Sequence, residues 1–69
     1  MKKALEGMLV HIWEEERNND AGLISRSLSA LSAAGLRGDK AMVRGALSTC
    51  HDAESFAWDL MRDAGVPDV

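Results

Sequence analysis

The 69-residue sequence predicts an all-α fold of two or three helices packed up and down as a helical hairpin or small bundle. Apolar residues recur at spacings of three and four, which is the period of an amphipathic helix. The apolar–polar alternation of a half-buried strand is missing. The chain is 46% hydrophobic and 28% charged, a composition typical of globular domains. A chain this short forms one domain, which we place at residues 1–69.

Two helices are predicted in the first half of the chain. The first covers residues 2–17, where apolar side chains fall on one side at helical spacing. Residues 18–20 read Asn-Asn-Asp, which suits the end of one helix and the N-cap of the next. The second helix covers residues 21–36. One long, bent helix over both segments is an open alternative, because Asn and Gly weaken a helix by at most about 1 kcal/mol each.

A third helix is predicted over residues 40–64. Asp39 is its expected N-cap, and Gly65 followed by Pro67 marks its expected end. On a helical wheel its apolar side chains cover an arc of roughly 200°, whereas a helix on a small core needs little more than about 100°. We therefore expect a homodimer that buries the surplus. The expected packing residues are Ala46, Cys50, Ala53, Ala57, Leu60 and Met61.

Nothing in the sequence indicates catalysis. Cys50 and His51 are adjacent, so on a helix their side chains diverge by about 100° and cannot form a nucleophile–base pair. The pairs His11/Glu14 and His51/Glu54 have the i, i+3 spacing of bundle metal ligands in the reverse order, without further inward carboxylates. We therefore predict no enzyme, no metal site and no cofactor.

The sequence favours a cytoplasmic protein. Glu6 and His11 interrupt the apolar segment that a signal peptide would need after the initial lysines. No apolar run approaches the roughly 18–20 residues of a membrane helix. The single cysteine, Cys50, cannot close a disulfide within the chain, which suits a reducing compartment.

Binding to another protein is the predicted function, as a small regulator, inhibitor or adaptor. Aromatic side chains dominate interface energetics, and an acidic run at a helix C-terminus opposes the helix dipole, as a binding patch sometimes does. Alternatively, each aromatic residue belongs to the core, and the acidic run is simply a solvated helix end. The expected partner-binding residues are Trp13, Glu14, Glu15, Glu16, Phe56 and Trp58.

DNA binding by a helix-turn-helix is the alternative function. The second predicted helix, a glycine-containing turn and the third helix follow the order of that motif. The candidate DNA-contacting residues are Arg37, Lys40, Arg44, Ser48 and His51. The net charge of −3 disfavours this alternative, since DNA affinity comes largely from phosphate neutralisation.

A family resemblance concerns residues 23–61. It rests on Leu28, Leu31, the Arg-Gly-Asp sequence at 37–39 and the alanines of the predicted third helix. In outline this stretch resembles the small helical-hairpin co-chaperones of bacterial type III secretion. The resemblance implies a helical hairpin that binds other proteins.

Overall fold

A computed structural model of the protein, which describes residues 2–67, shows four α-helices and, within that range, no strand. The all-α prediction is confirmed, but the structure has four helices instead of two or three. Each helix packs against two neighbours, so that the helices form a ring in chain order and the last packs against the first. The helices are α1 (Lys2–Glu16), α2 (Asp20–Ala33), α3 (Lys40–Thr49) and α4 (Ala53–Asp63).

The first two helices are separate, so the alternative of one long, bent helix is wrong. Asn19 is the N-cap of α2, and its side-chain oxygen accepts a hydrogen bond from the backbone N–H of Gly22 at 3.2 Å. This bond satisfies one of the free N–H groups that begin a helix.

The predicted helix over residues 40–64 is wrong, because the chain breaks between α3 and α4. Cys50 leaves the helical conformation, with ψ 147°. Asp52 then caps α4, and its carboxylate accepts from the backbone N–H of Ser55 at 2.8 Å. The connecting residues Thr-Cys-His-Asp are all weak helix formers, and Asp is a strong N-cap.

This break removes the argument for a homodimer. The arc of about 200° assumed one straight helix, whereas α3 and α4 each turn a narrower stripe toward the same core. Five of the six expected packing residues are buried within a single chain, and Cys50 is half-buried against the core. The buried five are Ala46, Ala53, Ala57, Leu60 and Met61.

The resemblance to helical-hairpin co-chaperones loses its structural basis. Residues 23–61 contain most of α2 and α4 and all of α3. They therefore form parts of three helices, not the two helices of a hairpin.

Helix ends follow local sequence closely. Asp39 caps α3 as predicted, accepting from the N–H of Met42 at 2.9 Å. Gly65 has φ 90°, a left-handed conformation that side chains other than glycine's disfavour. The N–H of Val66 then donates to the carbonyl of Met61 at 2.9 Å, as a Schellman motif requires.

The core lies at the centre of the ring and receives side chains from all four helices. Leu9, Leu23, Leu31, Val43 and Phe56 have no exposed surface at all. One polar residue, Ser27 of α2, is buried among them. Within residues 2–67, no helix is long and apolar enough to cross a membrane.

Candidate functional site

Trp58 is the most exposed large hydrophobic residue of the described chain. It lies on α4, and 60% of its surface is exposed. Its indole N–H donates a hydrogen bond to the carboxylate of Glu6 on α1. The ring is therefore held across the edge between α1 and α4, with Asp59 on one side and Glu54 on the other. We call Trp58, Glu6, Glu54 and Asp59 the Trp58 patch.

The surroundings of the Trp58 patch are acidic. Residues 52–63 include four carboxylates and one cation, Arg62. That cation is already engaged, since its guanidinium lies 3.3 Å from Asp59 and 3.5 Å from Asp63. At the start of α4, the N–H groups of Ser55 and Glu54 hold the pKa of Asp52 below its usual value. Lys2 of α1 lines the depression beside Trp58 together with Arg62, so the patch combines an aromatic ring with three carboxylates that two neighbouring cations partly neutralise.

The other two predicted aromatic anchors lie in or against the core. Phe56 has no exposed surface. The structure therefore places it in the core, which was the alternative to its predicted role as an interface anchor. Phe56 and Trp58 are two residues apart on α4 and point to opposite sides of the helix. Trp13 is half-buried and packs against the core from α1.

The predicted acidic patch at the end of α1 is partly neutralised inside the chain. Arg26 of α2 donates to Glu15 at 2.6 Å and lies 3.6 Å from Glu16. The hydrogen bond from Arg26 lowers the pKa of Glu15 from its usual value. His11 lies 3.2 Å from the same carboxylate. Glu14 is exposed, so the run of three glutamates is mainly a link between α1 and α2.

A second surface lies between α2 and α3. Half-buried Leu28 and the small accessible surface of Ile24 form its apolar floor, and Lys40 and Arg44 of α3 line it as well. The groove encloses about 470 Å³. Neither cation has a carboxylate within 4.0 Å among residues 2–67. We call this surface the cationic groove, and its lining residues are Ala21, Ile24, Ser25, Leu28, Lys40 and Arg44.

The candidate DNA-contacting residues are all exposed but do not share one helix. Lys40, Arg44 and Ser48 lie on α3, whereas Arg37 precedes it and His51 follows it in the link to α4. The continuous basic stripe expected on a single helix therefore ends at Ser48.

Cys50 and His51 form no reactive pair in the structure. The thiol of Cys50 is half-buried and donates to the carbonyl of Leu47 at 3.3 Å, whereas His51 is exposed. In the part of the chain that the structure describes, no three His, Cys, Asp or Glu side chains are grouped so that they could hold a metal ion.

The cationic groove was not predicted from the sequence. Ile24 belongs to the buried core, so the accessible apolar surface of the groove comes mainly from Leu28. Leu28 is only half-buried, and its spacing of four from Ile24 aligns both along one edge of α2. The signal was present in the sequence, since Lys40 and Arg44 show the same spacing on α3.

The comparisons with known proteins add no relative. The chain matches no model of a protein family, no curated protein and no solved structure.

Proposed function

We propose that the protein is a small non-catalytic regulator or adaptor that binds another protein through the Trp58 patch. The observation that supports this proposal is the 60% exposure of Trp58. Trp13 and Phe56, the other aromatic residues, are half-buried and buried. Tryptophan is among the residues most enriched at the energetic centres of interfaces.

The hydrogen bond from Trp58 to Glu6 favours binding for an entropic reason. Immobilising a side chain at an interface costs about 0.5–1.5 kcal/mol. Because Glu6 already holds the indole in place, part of that cost is met before the partner arrives. The ring is presented on two rigid helices, α1 and α4, rather than on a loop.

The charge around Trp58 defines the chemistry of the partner. Glu54 and Asp59 flank the ring, and Glu6 lies behind it. A complementary surface has lysine or arginine side chains around an apolar depression, since complementary potentials steer association and exclude other partners. The lone Cys50 suits a partner in the cytoplasm.

Site-specific photo-crosslinking tests this proposal. A benzophenone amino acid in place of Ser55, which lines a depression beside Trp58 but lies outside the Trp58 patch, is compared in source cells with the same group at Ser29, an exposed position on α2. We expect a defined protein adduct from position 55 only, and its loss when Trp58→Ala is added. Equal adducts from both positions, or an adduct insensitive to Trp58→Ala, would contradict the proposal. Circular dichroism checks that each variant keeps its helices.

Duplex DNA is the second candidate partner, through the exposed residues of α3. The observation that favours it is the length of α3, ten residues or about 15 Å, close to the width of a major groove. Lys40 and Arg44 neutralise few phosphates, which places this candidate second. It predicts binding of a short duplex that falls steeply with salt and weakens with Arg44→Ala. Binding that is independent of salt would exclude it.

A further inference from the structure

We infer that the cationic groove of one copy of the chain receives the Trp58 patch of a second copy, so that the protein associates head to tail. This inference rests on the proposed function, because it names the surface that the Trp58 patch binds. It assigns a role to the cationic groove, which the proposed function leaves unused.

The cationic groove has the two properties that the Trp58 patch requires. Half-buried Leu28, with the small accessible surface of Ile24 beside it, offers an apolar floor that is open to solvent. Lys40 and Arg44 line the groove as well, without an ion-pair partner in the described chain. An indole placed on this floor would bring its flanking carboxylates toward both cations.

Charge is segregated along the chain in a way that supports the pairing. Residues 17–49 contain five arginine or lysine residues and two aspartates, although the whole chain has a net charge of −3. One of the five, Arg26, is paired with Glu15 and Glu16 of α1, which leaves four cations against two aspartates. Residues 52–63 contain four carboxylates and one arginine. The α2–α3 side is therefore positive and the α4 side negative, which favours oppositely charged sides of two copies meeting.

The order of the helices prevents the two surfaces of one chain from meeting each other. The Trp58 patch lies on the edge between α4 and α1, and the cationic groove between α2 and α3. In a ring of four helices these are opposite sides. Each copy thus has two different binding surfaces, the Trp58 patch and the cationic groove. Contacts between unlike surfaces are heterologous, so the copies form either a closed ring or an open filament. A symmetric homodimer through the alanines of α3 and α4 is a different arrangement, which their burial disfavours.

Sedimentation velocity measures this association on the intact protein. We expect the average mass to rise as the protein concentration is raised from about 10 µM to about 1 mM. The average mass should fall when the salt concentration is raised from about 50 mM to about 500 mM, because exposed charge pairs are screened. Trp58→Ala and Arg44→Glu should each weaken the association about tenfold or more. A wild-type protein that remains monomeric over the whole range would overturn the inference.

Mixing the two variants is the decisive measurement. Trp58→Ala retains an intact groove, and Arg44→Glu retains an intact Trp58 patch. At the lowest concentration at which the wild type associates, we expect each variant alone to be monomeric and the mixture to form a dimer of one copy of each that grows no further. The absence of that mixed dimer, with wild type associating, would show that the two surfaces do not bind each other.

A matched control distinguishes the effect of the charge at position 44 from the effect of the net charge of the protein. The double variant Ser29→Glu/Ala33→Glu changes the net charge by the same two units as Arg44→Glu. Both of its positions are exposed and line a different depression, between α1 and α2. We expect it to associate like wild type, whereas loss of association in this control would attribute the effect of Arg44→Glu to net charge.

Two further outcomes distinguish the inference from the proposed function. If the protein is monomeric while position 55 still crosslinks to another protein, only the inference fails. If position 55 gives no specific adduct and the chain does not associate, both fail.

Nucleic acid is a separate possible occupant of the cationic groove. If Arg44→Glu leaves association unchanged but abolishes binding to a 20-base-pair duplex, with the length set at about two helical turns, the cationic groove binds nucleic acid and the inference is overturned.

Discussion

Replacing Ser27 with alanine should stabilise the fold by about 2 kcal/mol. Ser27 has no exposed surface, and its hydroxyl has no hydrogen-bond partner. Burying a hydroxyl without a partner costs about 1–3 kcal/mol. Alanine is also the better helix former by about 0.5 kcal/mol, and the vacated volume is that of a single oxygen atom. For a domain of this size, the change corresponds to a rise of roughly 10 °C in Tm.

Urea unfolding followed by circular dichroism measures this effect. Ser29→Ala is the matched control, because Ser29 lies on the same helix and is exposed. It should gain only the difference in helix propensity, about 0.5 kcal/mol. A midpoint for Ser27→Ala that is equal to or below that of Ser29→Ala would refute the reasoning. It would show that the hydroxyl has a partner in solution, such as the carbonyl of Leu23 one turn earlier.

Three further predictions concern two glycines, the N-cap of α4 and the aromatic residues of α4. Gly45→Ala should raise the free energy of unfolding by about 1 kcal/mol, because an added Cβ meets no atom within 4 Å. Gly35→Ala should lower it by about 1–2 kcal/mol, because Gly35 has φ 78°. Urea unfolding that shows the same sign for both would contradict this. The hydrogen bond from the Ser55 N–H lowers the pKa of Asp52 in the folded state, so its stabilising effect is complete above the unfolded pKa and is lost as pH falls through the folded pKa. Asp52→Asn should therefore flatten the acid limb of a Tm-against-pH curve, and an unchanged limb would contradict this. Phe56→Ala should cost about 3–5 kcal/mol and remove most of the helical circular dichroism signal, whereas Trp58→Ala should preserve it; loss of helix in the second variant would place Trp58 in the core.

Local capping signals were readable from the sequence. Asp39 and Gly65 act through their own backbone neighbours, so their roles depend little on the rest of the fold. Asn19 also acts locally, and its hydrogen bond from the N–H of Gly22 marks the start of α2 as a helix separate from α1. The class of fold was predictable for the same reason, because helical periodicity is a local property of the chain.

The break between α3 and α4 was harder to predict. Asp52 is a good N-cap, but the apolar period continues through Cys50 and Ala53 as if no break were present. A wheel drawn through the break assigns both helices to one arc. Tertiary packing determines where the helix breaks, since the break allows Ala46 of α3 and Ala57 of α4 to reach the same core.

Prediction of the candidate site depended on the same break between α3 and α4. Phe56 and Trp58 lay within one wide arc of the undivided helix, so sequence could not separate an anchor from a core residue. Packing of α4 against the core buries Phe56 and leaves Trp58 exposed. The cationic groove lies between two helices that are joined by a six-residue connection, and such a surface is visible only after the helices are packed.

The contact between the first and last helices brings both ends of the described chain to one side of the molecule. Lys2 and Val66 line the same depression as Trp58. We expect a purification tag at either terminus to weaken binding at the indole more than an affinity label in the exposed α2–α3 connection, at residues 37–39.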